Sequence, residues 1–277
     1  MKQDKKQIYS WAFYDWANSA YSTTVMAGFF PIFFEKFYSN PNDVIQSTYQ
    51  LGLANSISSI FIALVSPLLG AIADRGSAKK KLLMIFAFLG SLMTAALWLV
   101  EKGDWQLAVF FYIIATIGFM AGNIFYDSLL PSVAGREKVD YVSALGYSLG
   151  YLGGGLLFLI NVLMYLHPNW FGIPDSSTAI RISFVSVGIW WAIFTAPIII
   201  FMPEPKIRKN VSFYDAVNGG FNQLKETFDN IREMKIIGTF LIAFWMYEDG
   251  VATIVRMAAK IASSLGFAAS DIITAIL

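Results

Sequence analysis

The chain has 277 residues, of which 56% are hydrophobic and 14% charged, with a net charge of +1. Soluble domains carry nearer ~25% charged residues, so this chain lacks the polar surface to cover a water-facing fold, and a lipid-facing exterior is implied. With no cysteine and a single histidine, His167, disulfides, thiolate sites and multi-histidine metal or haem centres are excluded, and the near-neutral charge argues against nucleic acid as a partner.

Crossing a ~30 Å hydrocarbon core takes about 20 apolar residues. Six such runs are predicted, at 11–37, 49–73, 82–100, 106–131, 142–166 and 181–202, and a seventh at 236–258. An eighth begins near Asp271 and stops at Ile276–Leu277. The first run is longer than the 7–15-residue apolar core of a signal peptide and has no small-x-small cleavage site after it, so it is expected to stay as an anchor. Glycine, serine and proline recur in many runs, as helices packing in lipid tolerate. The expected fold class is an all-α, polytopic transmembrane helical bundle. Its predicted domains are a six-helix bundle over 1–202, a cytoplasmic linker over 203–235, and the start of a second bundle over 236–277, C-terminally incomplete.

Lysine and arginine orient it. With the N-terminus in the cytoplasm, fifteen of the twenty basic residues fall inside, among them Lys5, Lys6, Arg75, Lys79, Lys80, Lys81, Arg136 and Lys138. Arg256 and Lys260, at the far end of the seventh run, are expected to act as snorkelling anchors at the interface. In the linker, Pro203-Glu204-Pro205 reads as a helix stop, and Ser212 with Asp215 three residues on looks like a capping box. Phe213, Val217, Phe221, Leu224, Phe228 and Ile231 then repeat at three- and four-residue steps, which predicts an amphipathic helix on the inner membrane face.

An ionisable group inside a span costs ~2.5–3.5 kcal/mol on insertion scales and therefore marks a candidate site. Phe13-Tyr14-Asp15 in span one recurs as Phe125-Tyr126-Asp127 in span four, and both copies fall toward the cytoplasmic side. They are read either as a pair guarding the inner mouth of a cavity or as carboxylates hydrated near the interface. Span seven carries Glu248 and Asp249 near mid-depth, and adjacent helical residues point ~100° apart, so one of the two is expected to face a cavity, the alternative being a structural ion pair. Asn18, Ser19 and Asn123 could meet solute or bond helix to helix. His167, in an outer loop, is expected to be solvated.

Six spans, a basic linker and further spans resemble the layout of the major facilitator superfamily. Gly70-Ala-Ile-Ala-Asp74-Arg75-Gly76-Ser-Ala-Lys79-Lys80-Lys81 resembles the signature loop between that superfamily's spans two and three. The glycines Gly146, Gly150, Gly153, Gly154 and Gly155 resemble its span-five motif. The opening Trp11-Ala-Phe-Tyr14-Asp15-Trp16-Ala-Asn18-Ser19-Ala-Tyr21 is similar to the vacuole-effluxer-type permeases, whose fungal members are associated with amino-acid efflux. The resemblance implies a gating role for Gly70, Asp74, Arg75, Lys79 and Lys80, with Asp74 against a helix end of the second bundle. It implies close helix packing at Gly146, Gly150, Gly154 and Gly155. It also implies residence in the plasma (inner) membrane, or in the vacuolar membrane of a fungus.

The expected function is secondary active transport of a small polar solute, amino acids first, by alternating access, with a proton as the possible coupling ion and the lipid bilayer as environment. A passive facilitator, a lipid-handling protein or an inactive truncated fragment would be compatible with the same residues. Because alternating access needs two bundles, these residues alone are not expected to transport. No cofactor, metal or enzymatic activity is expected: there is no cysteine, no histidine within a span, and no G-x-x-x-x-G-K-[ST] loop.

Overall fold

A computed structural model describes residues 5–76, 78–204, 222, 225, 226 and 235–277, excepting the side chains of 71–76 and 136. The predicted linker helix, its capping box and the side chains of Asp74 and Arg75 lie outside the described residues.

The chain is a succession of helices, with no strand among the described residues. It begins with one continuous helical run in four parts: α1 (Lys5–Ala20), a π-helical stretch Tyr21–Phe29, α2 (Phe30–Phe33) and a second π-helical stretch Phe34–Tyr38. Pro31 sits inside this run and has no N–H to give the preceding turn, and the flanking turns widen to i→i+5 bonds such as Phe30 N to Val25 O. Then come α3 (Val44–Gly76), α4 (Lys79–Ala96), α5 (Trp105–Val133), α6 (Val139–Leu166), α7 (Ser176–Phe194) with its continuation α8 (Ala196–Phe201), α9 (Lys235–Ser264) and α10 (Ala269–Ile276). Five helical segments among the described residues are long and apolar enough to cross a membrane: Val44–Gly70, Lys79–Leu99, Trp105–Val133, Val139–Leu166 and Ser176–Phe201. They coincide with predicted spans two to six. The fold is an all-α, polytopic membrane bundle.

The segment expected to form a loop between spans two and three is mostly helix. α3 continues through Asp74 and Arg75 to Gly76, and α4 resumes at Lys79. Helix starts differ between the two ends of the bundle. At the end remote from Lys79, Lys80 and Lys81, α3, α5 and α7 open on Asp43, Asp104 and Asp175, whose carboxylates accept from Gln46 N at 2.9 Å, Leu107 N at 3.3 Å and Thr178 N at 2.8 Å. Each satisfies a backbone donor that the helix itself leaves unpaired. At the lysine-rich end, α4 starts on Lys79-Lys80-Lys81, three cations where a helix dipole favours an anion. Glu204 supplies that anion from more than a hundred residues away, accepting from Lys80 N and Lys81 N at 3.1 Å each, while Lys80 Nζ donates to Met202 O at 2.6 Å.

The first helical run forms the axis of the core. Tyr14, Tyr21, Phe29, Phe30, Phe34 and Tyr38 are wholly buried along it. Phe30 stacks on Tyr112 with ring centroids 4.1 Å apart, and the Tyr21 hydroxyl bonds Thr116 Oγ1 at 2.8 Å. Helices α1 and α6 pack most intimately with one another, as do α4 and α5, where a Cβ on Gly118 would fall 2.8 Å from Gly90 Cα. By contrast, α9 is exposed from Lys235 through Val251 apart from partly covered Gly238, and packs against the first run and α3 through its later turns.

Candidate functional site

The repeated aromatic-carboxylate motifs meet. α1 brings Asp15, and α5 brings Tyr126 and Asp127, to a cavity of about 140 Å³ that Asn123, Ser143 and Tyr147 also line. Trp11 lines it too, stacked on Tyr126 at 4.1 Å and donating from Nε1 to Tyr126 O at 2.9 Å. Tyr14 packs behind, its ring centroid 5.2 Å from that of Tyr126. Asp15 is partly buried and accepts from Ser19 Oγ at 3.3 Å, whereas Asp127 is exposed. No lysine or arginine lines the cavity, and neither carboxylate forms an ion pair with a described residue.

The glycines of α6 set this geometry. A Cβ on Gly146 would meet the Tyr126 hydroxyl at 2.7 Å and Trp11 at 2.8 Å, and one on Gly150 would meet Ser19 Oγ at 2.7 Å and the Asp15 carboxyl at 3.0 Å. A Cβ on Gly153 would meet Trp16 at 2.6 Å, and one on Gly154 would meet Ser19 O at 3.0 Å. The motif is therefore a bed of backbone on which α1 rests, and only glycine leaves room for it. Gly155 departs from expectation: it faces open space, with nothing within 4 Å, so it is not a packing glycine here. Gly70 likewise has no close neighbour. Asn18 is buried and its Nδ2 donates to Asn123 Oδ1 at 2.5 Å, so this pair bonds helix to helix. His167 is exposed and stacks on Trp170 at 4.2 Å. Lys79 Nζ reaches Ser128 O at 3.5 Å, just beyond Asp127 on α5.

α9, where the seventh span was predicted, divides its charges. Glu248 and Asp249 are both exposed, and Asp249 lines a second cavity, of about 270 Å³, between α3 and α9. Asn55, Ser56, Ser59, Thr253 and Arg256 share it. The expectation that Arg256 and Lys260 snorkel to the interface fails. Arg256 donates to Ser59 Oγ at 2.8 Å and lies 3.6 Å from Met120 Sδ, each near the middle of a span. Lys260 is fully buried in an ion pair with Glu35, whose other oxygen accepts from Ser263 Oγ at 3.0 Å. Sequence reading passed over Glu35, although a lone carboxylate in Phe29-Phe-Pro-Ile-Phe-Phe-Glu35 was a signal of a partner elsewhere.

Long apolar helices, intramembrane carboxylates and a polar cavity among them define the class: an integral, multi-pass membrane protein. Residues 45–277 match the family model described as "Vacuole effluxer Atg22 like", and the chain belongs to that family. It is 36% identical to the "Uncharacterized MFS-type transporter YxiO" of Bacillus subtilis over 99% of this chain and 64% of that protein. Autophagy-related protein 22 of Yarrowia lipolytica is 22% identical over 72% of this chain and 46% of its own length, and an uncharacterized protein of Aquifex aeolicus is 27% identical over 75% and 49%. The chain thus spans less than two thirds of the length of these relatives. No solved structure matches it.

Proposed function

We propose that the protein is a secondary active transporter of small polar solutes, with amino acids as the leading substrates, working by alternating access between two helical bundles. The observation that carries this reading is the cavity of about 140 Å³ in which Asp15 and Asp127 meet without a basic partner among the described residues. Two carboxylates free of counter-charge and opening toward water can take up and release protons as a bundle rocks. The names of the matched family and of the Bacillus relative point the same way. In this reading residues 1–202 form the first bundle, 203–235 the linker and 236 onward the second. The lysine-rich end is cytoplasmic, on the distribution of Lys and Arg. A cysteine introduced at Ser176 then labels only from outside, and labelling from the cytoplasmic side would reverse the orientation.

The deciding experiment is uptake of radiolabelled amino acids by the full-length protein in proteoliposomes, with and without a pH gradient. Saturable uptake driven by the gradient is expected, with Asp15→Asn and Asp127→Asn unequally impaired and at least one inactive. Equal uptake in both conditions would make the protein a passive facilitator. Undiminished gradient-driven uptake in both variants would remove these carboxylates from coupling.

A further inference from the structure

The cavity between α3 and α9 holds a cation whose contacts are mismatched to its charge. Arg256 presents a planar fork of five donors, yet among the described residues its partners are one serine hydroxyl, at 2.8 Å, and the thioether of Met120, at 3.6 Å. No described carboxylate lies within ion-pair distance of it. Asn55 repeats the pattern on the opposite wall. Its Oδ1 accepts from Tyr112 Oη at 3.0 Å, which fixes the amide, and its Nδ2 is left on the thioether of Met257 at 3.7 Å. Thioether sulfur is a weak acceptor. Two donors from facing helices therefore rest on sulfur at the edge of a polar cavity of about 270 Å³. A strong oxygen acceptor entering there would gain at both positions.

The guanidinium selects the geometry of that acceptor. A carboxylate engages it through two parallel N–H···O bonds, which neither a hydroxyl nor a carbonyl can reproduce. Desolvation strengthens the preference, because Ser59 and Met120 place the cation near the middle of two membrane spans, where an uncompensated charge is costly. At the other end of the same cavity lies Asp249, seven residues earlier on α9 and so roughly 10 Å away along the axis. Opposite charges so placed do not satisfy one another directly, but they can hold the two ends of a small zwitterion.

We infer that Arg256 and Asn55 form a carboxylate-binding subsite in a solute cavity between α3 and α9, with Asp249 facing the ammonium end of the same solute. The inference rests on the transport reading and adds to it the chemical group that is recognised. It is tested in proteoliposomes of the full-length protein. The amino acid taken up fastest from a radiolabelled panel is challenged with its own carboxamide and with the amine that lacks the carboxyl group. Neither should compete unless present at roughly tenfold or greater excess, the loss of a charge-assisted hydrogen-bond pair being worth about that factor or more. Arg256→Gln should raise the KM roughly 10- to 100-fold, and Arg256→Lys, which keeps the charge but loses the fork, should fall between. Should Arg256→Gln fail to fold, the competition on the unaltered protein still decides. Competition by carboxamide or amine as effective as by the parent amino acid overturns the inference and leaves the transport reading standing, as does a well-folded Arg256→Gln with unchanged KM. Absence of uptake of any solute in the panel sinks the transport reading and this inference with it.

Discussion

The two ends of the first helical run hold their carboxylates in opposite ways. Asp15, toward the lysine-rich end, lines an open cavity with Asp127, and neither has an ion pair with a described residue. Glu35, toward the other end, is sealed in with Lys260 and Ser263 from α9. Residue type is nearly the same, and surroundings make the difference. A carboxylate near water can change its charge at little cost to the fold. One buried against a lysine keeps its charge only while that lysine stays, and it therefore fastens α9 to the first run. Chemistry that must cycle belongs with the first kind, and contacts that must hold or break as a unit belong with the second.

The largest test of this contrast is on stability. Lys260→Met leaves Glu35 buried without its partner and should cost on the order of 3–5 kcal/mol, read as a lowered midpoint of thermal unfolding in detergent. Adding Glu35→Gln to Lys260→Met should restore much of that loss, because the orphaned charge is removed. Asp15→Asn should leave the midpoint nearly unchanged. A drop as large as that of Lys260→Met would erase the distinction between the two ends.

A smaller effect sharpens it. Gly150→Ala drives a methyl into Ser19 Oγ and the Asp15 carboxyl and should destabilise by about 1–3 kcal/mol, as overpacking does. Gly155→Ala, with open space before it, should be neutral or slightly stabilising through helix propensity. Equal effects at the two positions would mean that α6 is not the bed that positions Asp15. Another small change is expected at the start of α4. Glu204→Gln removes the anion from a trilysine first turn and should cost about 0.5–1 kcal/mol, a loss that added salt should shrink. An effect insensitive to salt would assign Glu204 a packing role instead.

Spans two to six were legible because twenty-residue apolar runs have few alternatives in lipid. The pairing of Asp15 with Asp127 was legible as a repeated tripeptide, and the close approach at Gly146, Gly150 and Gly154 followed from the glycine spacing. Gly155 belongs to the same motif but points away from α1, which adjacency in sequence does not reveal. Arg256 and Lys260 were misread because a basic residue near the end of an apolar helix looks the same whether it reaches the interface or turns inward. What decides is the partner, and Glu35 lies 225 residues away from Lys260. α3 runs to Gly76, past the predicted end of span two at 73, because nothing in that stretch before the glycine breaks a helix.

The π-helical stretch Tyr21–Phe29 gives the first run a length in excess of what its rise needs. A π turn holds one residue more than an α turn, and each α-helical residue advances the side-chain direction by about 100°. Asp15 lies before this stretch and Glu35 after it. The spare residue thus sets the phase between the two ends of the helix, independently of what either end contains. Deleting one residue within Tyr21–Phe29 would let a widened turn close to an α turn, leaving Asp15 on its glycines and Glu35 facing Lys260. A residue added instead to the α-helical part of the run between Asp15 and Tyr21, with every charge retained, would turn Glu35 by about 100° and uncouple α9 from the axis of the bundle.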